Sequence, residues 1–219
     1  ECPMRPFGGT EAFAWSPDGK NIAYSCRKET GTEYAFSTRS SIYLYNVETE
    51  KTEDLHAGDH GYDTNPAFSA DGKYLAFQSM PRNGYESDKN RLMIIDMEKR
   101  EMKDLTADYD NNCNSFVWNA NSKELVFTSY SYGTSKIFKV KVDEAKVSQV
   151  SADIQADYGS VTLVGDQVFA TRHSMVSPDE IFALNEAGEA TQITFENKEL
   201  LDQIETGRVE PRWMKCTNG

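Results

Sequence analysis

The sequence predicts an all-β fold, specifically a partial β-propeller of about four four-stranded antiparallel blades. Three observations support this prediction: a recurring strand–turn–strand segment, the interval at which it recurs, and further short apolar runs between the copies. The copies occupy residues 13–24, 67–77, 117–127 and 161–170. The intervals are 53 residues from Asp18 to Asp71, 50 from Asp71 to Asn121, and 42 from Phe127 to Phe169. Repeats of about 40–50 residues that contain several short strands are typical of propeller blades.

A tight turn is expected between the first and second strands of each blade. It reads Ser-Pro-Asp-Gly at residues 16–19 and Ser-Ala-Asp-Gly at residues 69–72. In such turns proline presets φ, aspartate bonds the backbone two residues further on, and glycine accepts a positive φ. The third copy is degenerate, with Asn-Ala-Asn-Ser at residues 119–122, and the fourth keeps only the apolar frame.

Further apolar runs supply the third and fourth strands of each blade. The third strands are predicted at residues 42–45, 92–95, 136–140 and 180–184, and the fourth strands end at residues 54–55, 104–106, 149–150 and 192–194. The predicted blades therefore extend over residues 10–56, 62–107, 113–151 and 158–194, and residues 195–219 lead out of the propeller. A β-sandwich is the alternative fold, but it has no reason to repeat the same turn at the same place.

Aligning the copies predicts which aromatic residues are equivalent. Trp15, Phe68 and Trp118 should occupy corresponding places in successive blades. The residues expected near the ends of the second strands are Tyr24, Phe77, Phe127 and Phe169.

Composition excludes two classes of partner. The chain has 23 basic and 35 acidic residues, which give a net charge of −12. Nucleic-acid binding is not expected, because phosphate contacts need a basic face. No apolar run approaches the length of a membrane span. The four cysteines fit no metal-binding spacing.

No catalytic or cofactor site is predicted within this chain. His56 and His60 are four residues apart, but Gly58 lies between them and no glutamate follows His56, so we expect no metal there. His173 is expected at a surface or lining the channel. A hydrolase nucleophile needs Gly-x-Ser-x-Gly, and residues 133–137 lack the second glycine.

Two long connections stand out. Residues 26–40 and 79–91 each join the second strand of a blade to its third, and both contain aromatic residues and both signs of charge. Successive connections in an antiparallel blade alternate between its two ends, so these two loops should lie on one rim, together with the blade link at residues 60–66. Binding residues are often carried by such loops.

At these loops the sequence resembles a known family. Residues 79–92 and 31–35, the latter upstream of the strand at 42–45, resemble the propeller of bacterial dipeptidyl-peptidase V-like enzymes in the prolyl oligopeptidase family, close to acylaminoacyl peptidases. The shorter repeats also resemble the TolB-type propeller. The resemblance covers essentially the whole chain. It implies that residues 209–219 exit toward an α/β-hydrolase domain, which would carry the nucleophile, the acid and the histidine.

The resemblance implies a role in recognising peptides. The propeller of such a periplasmic or secreted serine exopeptidase would limit entry to short peptides and help to hold their amino terminus, an ammonium group that carboxylates bind well. We expect Glu86 and Asp88 to provide that carboxylate, with Glu33 behind them. The residues expected to shape the entrance are Tyr34, Tyr85 and Arg82.

Two further expectations complete the prediction. The exposed sheet faces at the ends of a partial propeller favour self-association. The alternative function is a TolB-like propeller that binds partner proteins and has no hydrolase domain. Neither function requires a cofactor.

Overall fold

The computed structural model describes residues 2–3 and 8–217 of the 219-residue chain. These residues contain sixteen strands in four antiparallel sheets, each a four-stranded meander of consecutive strands. The first sheet contains β1 (Phe13–Trp15), β2 (Asn21–Cys26), β3 (Ser41–Asn46) and β4 (Thr52–Asp54). The second contains β5 (Tyr62–Phe68), β6 (Tyr74–Met80), β7 (Arg91–Asp96) and β8 (Met102–Asp104).

The other two sheets follow the same order. The third contains β9 (Phe116–Trp118), β10 (Glu124–Ser131), β11 (Thr134–Lys141) and β12 (Val147–Gln149). The fourth contains β13 (Asp157–Val164), β14 (Gln167–Ser174), β15 (Ser177–Leu184) and β16 (Ala190–Gln192). The prediction of a partial propeller with four four-stranded blades is confirmed.

Among the described residues, helical structure is confined to short segments. A 3₁₀ turn spans Thr10–Ala12, α1 spans Glu33–Phe36 in the first long loop, and α2 spans Lys198–Leu201 after the last strand. Neither α-helix in the described residues is long and apolar enough to cross a membrane. The last two residues of the predicted exit segment lie outside the described part of the chain.

The repeated turn has the geometry that its sequence predicts. In the first blade Asp18 Oδ1 accepts hydrogen bonds from Ser16 Oγ at 2.5 Å and from the backbone N–H of Lys20 at 3.1 Å, and Gly19 has φ +71°. The second blade repeats these contacts with Ser69, Asp71 and Gly72, which also has φ +71°. This conformation is easy for glycine, which has no Cβ.

In the degenerate third copy, other residues adopt the same turn. The carboxamide of Asn121 accepts from the N–H of Lys123 at 2.9 Å, as Asp18 does in the first blade. Ser122 takes the glycine position with φ +61°. Its hydroxyl accepts a hydrogen bond of 3.1 Å from the N–H of Asp71 in the preceding blade. The repeat is therefore preserved in structure where it has faded in sequence.

Three apolar clusters pack each sheet against the next one along the chain. Ala23, Ile42 and Leu44 of the first sheet pack against Leu75, Phe77, Met93 and Ile95 of the second. A second cluster joins the second and third sheets, and a third joins the third and fourth. Within the described residues, no cluster joins the first sheet to the fourth. The sheets thus form an open arc, and the core consists of blade interfaces.

Register confirms the equivalence of Trp15, Phe68 and Trp118. They pair with Ile22, Leu75 and Leu125, respectively, each the second residue of its strand. Their surroundings differ in one respect. Trp118 donates from Nε1 to the carbonyl of Ala67 in the preceding blade at 2.9 Å. Trp15 is 54% exposed, because no described sheet precedes its own.

The predicted equivalence of Phe169 with the second-strand aromatic residues is wrong by one position. Tyr24, Phe77 and Phe127 pair with Tyr43, Met93 and Phe138 of the third strands, and each of these partners faces the last residue of its fourth strand. In the fourth blade that alignment runs through Ala170, Phe182 and Gln192. A two-residue hairpin at Gly165–Asp166 replaces the longer turn in this blade, so the four copies cannot be aligned through the turn. Counted from the start of β14, Ala170 is the fourth residue of its strand, as Tyr24, Phe77 and Phe127 are of theirs.

Candidate functional site

The two long loops contact each other directly on one rim of the arc. The side chain of Asn83 accepts hydrogen bonds from the N–H of Thr38 at 2.8 Å and from Ser37 Oγ at 3.2 Å. Thr38 Oγ1 in turn accepts from the N–H of Gly84 at 2.8 Å. The expectation that these loops share one rim is confirmed, and residues 27–40 and 81–90 are called the rim loops below.

The blade link packs tightly beneath the rim loops. Ser40 forms a parallel bridge with Tyr62, and the N–H of Ser40 donates to the carbonyl of Gly61 at 3.2 Å. A Cβ added to Gly61 would lie 2.3 Å from the carbonyl oxygen of Met80 and 2.7 Å from the backbone nitrogen of Arg82. The close approach of these two backbones therefore requires glycine.

Asp88 is engaged by Arg82 within the second rim loop. The carboxylate accepts two hydrogen bonds from Arg82 Nε, at 3.0 and 2.9 Å, and others from the guanidinium Nη2 and from the backbone N–H of Arg82. These bonds hold the pKa of Asp88 below its usual range and raise that of Arg82. Asp88 is buried, so this pair closes the loop and leaves Asp88 little capacity for a second cation.

Two aromatic rings on the rim are each packed against an arginine. The guanidinium carbon of Arg82 lies 4.0 Å from the ring centroid of Tyr85, and that of Arg27 lies 4.1 Å from the centroid of Tyr34. Arg27 also donates from Nη2 to the carbonyl of Tyr34 at 2.7 Å. Tyr85 is 53% exposed and Tyr34 is 39% exposed. Both rings are therefore positioned by their arginines and remain accessible to solvent.

Glu86 and Glu33 are exposed on the rim, and Glu33 is the first residue of α1. Neither carboxylate makes a hydrogen bond or an ion pair in the described part of the chain. Burial raises the pKa of Tyr62, and the charge of Glu86 and the nearby Tyr34 raise it further. The positive charge of Arg27 acts on Tyr62 in the opposite direction and lowers its pKa.

A cluster that the sequence did not predict lies beneath this rim. His56 follows β4, His60 lies in the blade link, and Asp63 belongs to β5. Asp63 Oδ2 is 2.5 Å from His56 Nδ1 and 3.6 Å from His60 Nε2, and the two imidazole rings stack with centroids 4.1 Å apart. Spacing alone singled out the histidines, but nothing in the sequence indicated that Asp63 would join them.

The remaining residues considered for chemistry have structural partners. Ser135 lies in β11, just after the hairpin at Gly133, and its buried Oγ donates to the carbonyl of Tyr158 at 2.7 Å. His173 is exposed in β14, and its Nδ1 lies 3.1 Å from Asp179 Oδ1.

Comparison with known proteins gives relatives that are similar in sequence and solved structures that are similar in fold. The chain is 39% identical over 220 residues to dipeptidyl-peptidase 5 of Porphyromonas gingivalis, an alignment that covers all of this chain and 32% of that protein. Dipeptidyl-peptidase 5 of Porphyromonas endodontalis matches with the same identity and coverage. The chain thus spans about a third of the length of these curated relatives. The resemblance inferred from the rim-loop sequences is confirmed.

Solved structures support the fold. Acylaminoacyl peptidase of Pyrococcus horikoshii superposes with a TM-score of 0.68 at 18% identity, over 89% of this chain and 28% of that one. TolB of Acinetobacter baumannii superposes with a TM-score of 0.60 at 21% identity, over 84% of this chain and 43% of that one. The sequence profile of the TolB β-propeller domain matches residues 10–199. The chain therefore belongs to the TolB β-propeller domain family.

Proposed function

We propose that this chain is the non-catalytic propeller region of a serine exopeptidase of the dipeptidyl-peptidase 5 type. The observation that carries the proposal is the 39% identity to dipeptidyl-peptidase 5, which extends over the whole chain. The nucleophile, acid and histidine then belong to an α/β-hydrolase domain beyond Gly219. The intact enzyme acts on short peptides in the periplasm or outside the cell.

In this proposal the rim loops face the hydrolase domain and limit access to it. The hydrogen bonds of Asn83 to Thr38 join the two loops, so they act as one wall. Tyr34 and Tyr85 offer exposed rings to a passing peptide, and their arginines restrict the orientation of those rings. A wall held in this way excludes folded proteins and admits short extended peptides.

Glu86 is the carboxylate that we assign to the amino terminus of the peptide, with Glu33 as the second choice. Glu86 is exposed and makes no ion pair among the described residues, whereas Asp88 is held by Arg82. Asp88 also offsets the charge of Arg82, which would otherwise repel an ammonium group. Asp88 therefore supports the site by fixing its loop. A charge-assisted hydrogen bond to Glu86 gains strength when the domains close and exclude water.

The test compares Glu86→Gln with the parent in the full-length enzyme. The two substrates are a chromogenic dipeptide derivative with a free amino terminus and the same compound N-acylated. If the acylated compound is not cleaved, its inhibition constant is measured instead. Loss of a charged hydrogen bond costs about 1.5–3 kcal/mol, so kcat/KM for the free amine should fall roughly 10- to 150-fold. The kcat/KM or inhibition constant of the acylated compound should not change.

Glu98→Gln is the matched control, since Glu98 is an exposed glutamate of the same blade in the turn between β7 and β8, at its opposite end. It should behave as the parent on both compounds. If Glu86→Gln also leaves the preference for the free amine unchanged, Glu86 does not bind the amino terminus. Cleavage of the free dipeptide substrate by the parent tests the peptidase assignment separately.

A protein-binding propeller is the second candidate, and the similarity to TolB of Acinetobacter baumannii favours it. The two candidates differ in whether the full-length protein carries a hydrolase domain after this chain. A Gly-x-Ser-x-Gly elbow downstream of Gly219 supports the peptidase, because that strand-to-helix turn exposes the nucleophilic serine. A full-length protein that ends without such a domain supports the binding module.

A further inference from the structure

We propose that His56, His60 and Asp63 form a binding site for a divalent transition-metal ion, with Zn²⁺ as the best match. One ligand atom from each of the three side chains lies within 4.8 Å of the other two. Two imidazole nitrogens and one carboxylate oxygen are ligands that zinc commonly takes in proteins. The fourth position of a tetrahedral ion is left to water or to the hydroxyl of Ser41, whose Oγ lies 3.0 Å from His60 Nε2.

The distances are close to those of a tetrahedral site. With metal–ligand bonds of about 2.0–2.1 Å, neighbouring ligand atoms lie about 3.3–3.5 Å apart. His60 Nε2 and Asp63 Oδ2 are already 3.6 Å apart. His56 Nδ1 and Asp63 Oδ2 are 2.5 Å apart and must separate by about 0.9 Å. The His56 side chain is 20% exposed, so it has room to rotate outward.

A buried oxygen without a partner gives independent support. The Asp63 side chain has no exposed surface, and its Oδ1 makes no hydrogen bond in the described part of the chain. Buried polar atoms are nearly always paired, since leaving one unpaired costs the full desolvation penalty. Coordination of the ion by Oδ1, together with Oδ2 or in its place, would give this atom the partner that it lacks.

A backbone carbonyl group orients the His60 imidazole for metal binding. His60 Nδ1 lies 3.1 Å from the carbonyl oxygen of Gly58, and a proton donated to that oxygen leaves Nε2 available for the metal. Nε2 also lies 3.1 Å from the carbonyl oxygen of Ser40. That oxygen accepts from the N–H of Asp63 as well, at 3.2 Å, so it keeps a donor when Nε2 coordinates the ion.

The position of the cluster indicates a structural role for the ion. His56 follows the last strand of the first blade, and Asp63 lies in the first strand of the second. The site is also adjacent to the blade interface, because the centroid of the His56 ring lies 6.0 Å from that of Phe77. A bound ion would join the two blades beneath the rim loops and stabilise the folded chain, which alone assembles the three ligands.

Titration of the complete chain with Zn²⁺ tests the proposal. The protein is first treated with a chelator and dialysed, then examined by calorimetry and by elemental analysis after a second dialysis. We expect one zinc per chain with a dissociation constant in the micromolar range or below, and a higher apparent Tm. Substitution of Co²⁺ should give the visible absorption of a tetrahedral site with nitrogen ligands.

Two substitutions provide the comparison. His56→Gln removes a partly exposed ligand and should weaken binding by at least about 100-fold, given that loss of an outer-shell partner alone costs 10- to 100-fold. His173→Gln is the control, because His173 also lies beside carboxylates, at 3.1 Å from Asp179 and 4.0 Å from Asp157. It should bind zinc as the parent does.

Three results would overturn the metal site. They are the absence of stoichiometric zinc at micromolar concentration, an equal loss in both variants, and a Co²⁺ spectrum of octahedral type in the parent. The first and the last need no variant, so the proposal remains testable even if a substitution impairs folding. None of these results depends on peptidase activity.

Discussion

Replacing Phe77 with alanine should strongly destabilise the contact between the first two blades. Phe77 has no exposed surface and packs among Ala23, Ile42 and Met93, which come from two different sheets. Removal of a fully buried phenylalanine side chain costs about 3–5 kcal/mol of unfolding free energy. The strands on both sides are fixed by their hydrogen-bond ladders and cannot collapse into the space. Loss of the edge contact with His56 adds to the cost, so we expect the upper half of that range.

Thermal unfolding followed by circular dichroism measures this effect. For a chain of this size 1 kcal/mol lowers Tm by about 2–4 °C, so Phe77→Ala should lower Tm by roughly 8–20 °C. Phe77→Leu retains most of the apolar volume and should lower it by much less. Phe36→Ala is the control, because Phe36 lies in α1 and is 84% exposed. It should change the unfolding free energy by no more than about 0.5 kcal/mol.

Two results would contradict this prediction. One is an equal shift of Tm in Phe77→Ala and Phe36→Ala, and the other is a Phe77→Ala shift that is too small to resolve. Either result would mean that the apolar cluster between the first two sheets does not hold them together.

Two further predictions concern other parts of the arc. Gly61→Ala should lower Tm and loosen the rim loops, because its Cβ would lie 2.3 Å from the carbonyl oxygen of Met80. Gly207→Ala is the control and should leave Tm unchanged, because a Cβ there would have no atom within 4 Å. An equal Tm for the two variants would contradict the close approach at Gly61. Glu180 has a pKa lowered to about 2 by hydrogen bonds from Thr194 and the N–H of Asn197. Because this pKa lies below the ordinary value of 4.5, the ionised Glu180 carboxylate stabilises the fold fully above pH 4.5, and this contribution is lost as the pH falls toward 2. Glu180→Gln should therefore melt lower than the parent at neutral pH and lose less stability over that acid range, and parallel pH profiles would contradict this assignment.

Much of the fold could be predicted because each blade repeats a local signal. The Asp18 and Asp71 turns depend on hydrogen bonds within five residues, and such short-range chemistry can be recognised in a sequence. Phe169 shows the limit of the approach. It was matched to Tyr24, Phe77 and Phe127 as an aromatic residue near the end of a second strand, but Ala170 occupies the equivalent position. In a faded repeat the apolar residues alone do not reveal which of two neighbours corresponds.

The candidate site was less predictable because its contacts depend on loop conformation. The sequence placed Glu86 and Asp88 in one loop and predicted the same role for both. The fold directs Arg82 onto Asp88 and leaves Glu86 exposed, a difference set by side-chain orientation. His56 and Asp63 are seven residues apart and meet across the connection between β4 and β5, and spacing in the sequence does not encode the path of that connection.

The proposal that this chain is the non-catalytic part of a serine exopeptidase is tested most directly by assaying the chain and its full-length protein side by side. Both are incubated with chromogenic dipeptide substrates, with and without a serine-directed inhibitor. We expect inhibitor-sensitive cleavage by the full-length protein and none by the chain alone, because the proposed triad lies beyond Gly219. Inhibitor-sensitive cleavage by the purified chain, or a full-length protein that cleaves none of these substrates, would contradict it.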